Sequence, residues 1–141
     1  MTSKLDMTQG MRDLAFEVRD WNARAGQIQE CGDVYRKESD RDLAMTIIRE
    51  EVDELEEALK EGDEVEVVDA VCDIIFTALG AAAKAKVSQY IGACMVEVVE
   101  SNNSKLEGKR EVKPNGKLGK GSKYRPPQIA AIMNRIDDIG F

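Results

Sequence analysis

Six carboxylates fall in two short runs: Glu50, Glu51 and Glu54 in the first, Glu66, Asp69 and Asp73 in the second. Such groups bind hard cations, exchange protons or simply face water, and their surroundings decide which. The chain contains no histidine. That removes imidazole bases, Ser-His triads, the usual zinc sets and the ExxH pairs of di-iron bundles. Chemistry is left to carboxylates, hydroxyls, amines and a hard metal, with Mg²⁺ the expected ion and Mn²⁺ able to replace it.

The elements that must position these groups read as helices. Thr8 is expected to cap a first helix carrying Met11, Leu14, Ala15, Val18 and Trp21, ending near Gly26. Gln27 to Ser39 is polar and irregular. Ser39 or Asp40 opens a second helix that reaches Lys60 and stops at Gly62. Asp63 caps a third, with Glu66 placed to close a capping box, and this helix continues to about Lys86. Ser88 opens a fourth, through about Glu100. Residues 101–127 have glycine- and proline-rich loop chemistry, and Pro127 starts a short last helix ending near Ile136. The expected architecture is all-α: a bundle of about four main helices, a basic glycine-rich arm over 101–127 and a short C-terminal helix, in one domain over 1–141.

Helical geometry sorts the carboxylates. With Leu43 at zero on the second helix, Ile47, Ile48, Val52, Leu55, Ala58 and Leu59 sweep an apolar arc of about 180°. Glu51 and Glu54 fall inside that arc and Glu50 at its edge, whereas Asp53 and Glu56 face solvent. On the third helix apolar residues surround most of the circumference, as for a helix buried nearly all round. Glu66, Asp69 and Asp73 form a stripe about 60° wide. Burying like charges without compensation costs several kcal/mol each or forces protonation, and a divalent cation removes that cost. Glu66 reads equally well as a cap, and Asp69 lies between the dipole and metal readings.

The net charge of −7 is unevenly spread. Residues 1–104 carry 11 basic and 23 acidic side chains, while 105–125 carry eight basic and two acidic. An acidic body with a basic arm suits an anionic ligand brought in with cations. Three cysteines without CxxC spacing read as free thiols, with Cys72 and Cys94 buried, in a reducing cytoplasm. No apolar run is long enough to span a membrane, and no signal-peptide core is seen. The expected location is cytoplasmic (host cytoplasm if phage-encoded).

The two carboxylate runs resemble the MazG-like, all-α nucleotide pyrophosphohydrolase superfamily, whose pattern is EExxE on one helix and ExxD on the next. The chain has Glu50-Glu51-Val52-Asp53-Glu54, then Glu66-Val67-Val68-Asp69, with Asp73 before Ile74-Ile75-Phe76. Glu66 and Asp69 satisfy ExxD after a slightly short gap; Asp73 precedes the apolar run but has Ala70 where ExxD wants Glu. Either aspartate, or both, fits the ligand set. A second block, Glu97-Val98-Val99-Glu100-Ser101-Asn102-Asn103-Ser104-Lys105-Leu106 followed by Gly116-Lys117 and Lys120-Gly121, is similar to the signature of phage-type, MazZ-like and related bacterial members.

The resemblance implies hydrolysis of a nucleoside triphosphate to monophosphate and pyrophosphate. Mg²⁺ would sit on Glu50, Glu51, Glu54, Glu66, Asp69 and Asp73. Either Glu51 or Glu54 would serve as general base. Asn102 and Lys105 match nucleotide- or phosphate-contacting positions, and Lys117, Lys120 and Lys123, with Tyr124, would fold over the ligand. Trp21, Met45, Phe76 and Met95 are candidates for a base pocket, although plain core is the more usual fate of such residues. The phage-type relatives point to a dNTP, with a purine such as dGTP favoured. The wide apolar coverage of the third helix calls for a homodimer or homotetramer. The competing reading is a non-catalytic helical oligomer whose arm binds nucleic acid or a protein. Only Tyr124 is available there for stacking, and the inward carboxylates go unexplained, so nucleic acid is the weaker partner. A third reading is a related enzyme acting on a diphosphate or a nucleotide conjugate.

Overall fold

A computed structural model of the chain describes residues 1–28 and 37–140. Among these the fold is all-α, with α1 (Lys4–Arg24), α2 (Glu38–Glu61), α3 (Glu64–Lys84), α4 (Ser88–Ser104) and α5 (Ile129–Ile139). The chain divides into two compact units, one of Met1–Asp13 with Tyr90–Phe141 and one of Leu14–Gln89. No described helix is long and apolar enough to cross a membrane.

In the Leu14–Gln89 unit, α2 and α3 pack against each other as a helical hairpin. Gly62 ends α2 at φ 68°, a left-handed turn only glycine enters freely, and its N–H reaches the Ala58 carbonyl. Asp63 then caps α3 by accepting the Glu66 N–H at 3.2 Å. Two residues thus reverse the chain and bring the acidic runs onto facing helices. The buried apolar side chains are mostly small: Ala15, Val18, Ala44, Ala58, Ala70, Leu79 and Ala83. Small residues let helix axes approach closely, but they cover little area.

Within this unit α3 packs against α2. On the single chain it is not buried all round: Val65, Val68, Val71 and Ile75 are exposed, Val68 to 59%. Cys72 shares that exposure, contrary to the buried thiol expected, whereas Cys94 on α4 is buried and free. Cys31 lies outside the described residues. Burial, helped by the charge of Glu97, pushes the Cys94 thiol above its ordinary pKa.

Several boundaries differ from the sequence reading, each for a local reason. α1 starts four residues before Thr8 because Ser3 is the cap: its hydroxyl accepts the Asp6 N–H at 3.1 Å and its carbonyl the Met7 N–H at 3.0 Å. Lys37, without a side-chain cap, precedes α2 in place of Ser39 or Asp40. α4 runs to Ser104, past Glu100, so the basic arm begins at 105 rather than 101. α5 begins two residues after Pro127 and continues to Ile139, where Gly140 at φ 79° ends it.

The arm is more ordered than its composition suggests. Val112 bridges Leu118 in antiparallel fashion. Around that bridge, the Lys113 N–H reaches Lys117, the Gly119 N–H reaches Glu111 and the Ser122 N–H reaches Lys109. A Cβ at Gly121 would lie 2.5 Å from the Lys109 carbonyl oxygen, so this close approach requires glycine. Two serines of α4 secure the end of the arm. Ser101 donates to the Arg125 carbonyl at 2.8 Å, and Ser104 accepts the Arg125 N–H at 2.8 Å while donating to Ser101.

Candidate metal centre and adjoining cavity

Glu51 and Glu54 are one turn apart on α2, and Asp73 faces them from α3. One carboxylate oxygen from each lies within 4.8 Å of the others. At that separation, with an effective dielectric near 20, each like-charged pair opposes folding by about 3 kcal/mol before screening. Glu54 is exposed and better screened; Glu51 and Asp73 are half-buried. The Glu51 Oε2 atom is buried and meets no hydrogen-bond donor. Burial, first of all, pushes the Glu51 carboxyl above its ordinary pKa. A hydrogen bond to Glu54 and the negative charges of Glu54, Asp73 and Asp69 push it the same way.

An oxygen-only donor set, crowded with negative charge and holding one oxygen without a donor, fits a hard divalent cation. The other acidic positions are arranged differently. Asp69 is exposed one turn before Asp73, close enough for its charge to act on Glu51. Glu66 is exposed, and its N–H completes the Asp63 cap. Both line a small cavity of about 180 Å³ with Glu54, Glu57 and Glu61. Glu50 is exposed and lies outside the three-carboxylate cluster.

Next to the cluster along the same helices is a cavity of about 370 Å³. Ile47 lies one turn before Glu51, and Phe76 and Thr77 one turn after Asp73, so the cavity begins within about 6 Å of the carboxylates along each axis. Trp21 of α1 and Phe76 meet edge to face, ring centres 5.2 Å apart, and both line the cavity. Asn22 also lines it and is 4% exposed. Sequence reasoning identified the two aromatics as pocket candidates and missed Asn22, which looks in sequence like any polar residue at the end of a helix. Met45 and Met95 are not among the lining residues.

The expected nucleotide-contacting residues belong to the other unit. Lys105 and Lys120 approach the ring of Tyr124, at 6.0 and 5.2 Å from its centre. The Asn102 side chain donates back to the Val98 carbonyl at 2.9 Å. Lys117 and Lys123 are exposed on the arm. Ser101 and Ser104, which sequence reasoning passed over as motif letters, are the residues that tie the arm to α4. Glu97, Glu100, Tyr124 and Arg125 border a second cavity in this unit, of about 410 Å³.

A family model described as phosphoribosyl-ATP pyrophosphohydrolase matches residues 27–102, more than half of the chain and the whole of the α2–α3 hairpin. No curated protein matches the chain significantly.

Proposed function

Since the chain belongs to the phosphoribosyl-ATP pyrophosphohydrolase family, within the MazG-like all-α superfamily, and is thus a metal-dependent nucleotide pyrophosphohydrolase, we propose that it cleaves a nucleoside triphosphate to monophosphate and pyrophosphate, with Mg²⁺ held by Glu51, Glu54 and Asp73. The observation that carries the metal assignment is the convergence of those three carboxylates around an oxygen of Glu51 that no protein donor reaches. Mg²⁺, when bound, neutralises phosphate charge and lowers the pKa of its water.

The protein's own groups divide the remaining work. Glu51, with one oxygen buried and without a donor, serves as a permanent ligand because its charge needs compensation. Glu54 is open to solvent and is the better placed to take the proton of an attacking water. Asp69 adds negative charge that favours a cation, and Glu50 and Glu66 stand as outer carboxylates able to reach a further ion. The cavity beside the cluster, walled by Trp21 and Phe76, accepts the base, and a purine deoxynucleotide is the favoured substrate. Lys105, Lys117, Lys120 and Lys123, with Asn102 and Tyr124, form a cationic surface suited to phosphate oxygens. A second copy of the chain covers Val68, Val71 and Ile75, each worth about 1.5–3 kcal/mol when fully buried. The non-catalytic reading gives way to the family membership.

The test is pyrophosphate release from a panel of NTPs, dNTPs and phosphoribosyl-ATP, with and without Mg²⁺. Metal-dependent release, fastest from a purine dNTP, is expected. Release from phosphoribosyl-ATP alone would move the substrate to the conjugate in the family's description, and release unaffected by removing metal would overturn the assignment of the cluster.

A further inference from the structure

Asn22 is a buried polar side chain with unused hydrogen-bonding capacity, and it faces a cavity. One of its amide hydrogens is given to the Val18 carbonyl at 2.9 Å, which fixes the carboxamide against its own helix. Among the described residues, this is the one hydrogen bond its side chain makes, which leaves the second N–H and Oδ1 available. That unused capacity is not sealed in the core: Oδ1 is not among the enclosed polar atoms left without a partner, so it opens on the cavity, where a ligand can take it up. The surrounding wall fits a planar ligand. Trp21 and Phe76 supply flat apolar surface, and the Thr77 hydroxyl gives its proton to the carbonyls of Asp73 and Ile74, leaving only acceptor capacity on the cavity side. Gly80 lines the cavity beside the carboxamide: a Cβ there would stand in ordinary contact, 3.4 Å from Nδ2 and 3.8 Å from Oδ1, and would take up space that a ligand reaching those atoms needs.

We propose that Asn22 selects the base: its free N–H and Oδ1 form a donor–acceptor pair that reads the edge of a nucleobase held against Trp21 and Phe76. This deepens the nucleotide reading above and rests on it. The residue lies before the stretch matched by the family model, so the catalytic hairpin and the selecting side chain come from different parts of the chain. A carboxamide hydrogen-bonds to a neighbouring donor and acceptor on a base and loses one bond where the pair is interrupted, which is how it discriminates.

Trp21 is the single tryptophan of the chain and lines the cavity, so its fluorescence reports occupancy directly. The experiment is titration of wild type, Asn22→Ala and Gly80→Ala with the four 2′-deoxynucleosides, which carry no phosphate and need no metal. It is paired with kcat/KM for the four dNTPs. Gly80→Ala keeps the test sound if Asn22→Ala folds poorly, because alanine is the better helix former and the variant should melt no lower than wild type. The wild type should bind the nucleosides with distinct affinities, and both variants should change the ratio of strongest to weakest by about tenfold. A common weakening of all four in both variants would mark Asn22 as merely structural and overturn the proposal, as would wild-type fluorescence indifferent to every nucleoside. Selective nucleoside binding without hydrolysis of any triphosphate would uphold it while sinking the reading of the reaction.

Discussion

Around Glu51, negative charges are gathered on two facing helices, and one carboxylate oxygen is buried without a donor. Along residues 105–125 charges are equally dense but turned to solvent, and the buried polar groups beneath them are paired, Ser104 at 0% exposure bonding in both directions. Both regions carry an excess of one sign. The first accepts a penalty that a bound cation or a proton relieves; the second has its buried hydroxyls already paired. Charge density alone therefore does not separate a candidate metal site from a charged surface; the state of the buried polar atoms within the cluster adds the distinction.

Replacing one oxygen of Glu51 gives the sharpest break between the two. Glu51→Gln should lower pyrophosphate release by about 100-fold or more, since outer partners of metal ligands alone cost 10- to 100-fold. In the absence of metal the same variant should melt no lower than wild type, because it removes a like charge. Addition of Mg²⁺ should raise the midpoint of wild type and leave the variant unmoved. A variant that melts well below wild type without metal would show that Glu51 is a structural partner and erase the contrast.

The arm should answer in the opposite way. Ser104→Ala leaves the Arg125 N–H without its acceptor and should cost about 1–3 kcal/mol, read by denaturant unfolding with and without Mg²⁺. The loss should be the same in both conditions; a loss that appears only with metal present would couple the arm's order to the cluster. The smallest effect belongs to the arm's charges. Lys120→Ala should raise KM a few-fold at low salt and by less at high salt, as expected of a solvent-screened contact. An unchanged KM at low salt would remove Lys120 from the phosphate-contacting set.

Much of this is legible in the amino-acid sequence. The helical hairpin follows from local chemistry: apolar spacing on α2, glycine at 62, a capping aspartate at 63 and an apolar run on α3. Local rules also placed Glu51 on an inward arc and Asp73 on the following helix, whereas Glu54, read onto the same arc, is exposed on the single chain. Helix ends were read less well, since Ser3 and Thr8 are equally good caps in isolation and nothing local stops α4 at Glu100. The circumferential burial expected for α3 is not met on the single chain: within its unit α3 packs against α2, and Val68 and Ile75 stay exposed.

What the sequence determined by itself was the helical class, the acidic hairpin and the basic arm, because all three depend on residues within a few turns of each other. Only the tertiary structure decided which three carboxylates converge, and that Asn22 is buried with part of its carboxamide unused. It also decided that Ser101 and Ser104 spend their hydroxyls on Arg125. Those facts depend on how one helix or loop faces another, and the periodicity of a single helix says which face is apolar without saying what that face will meet.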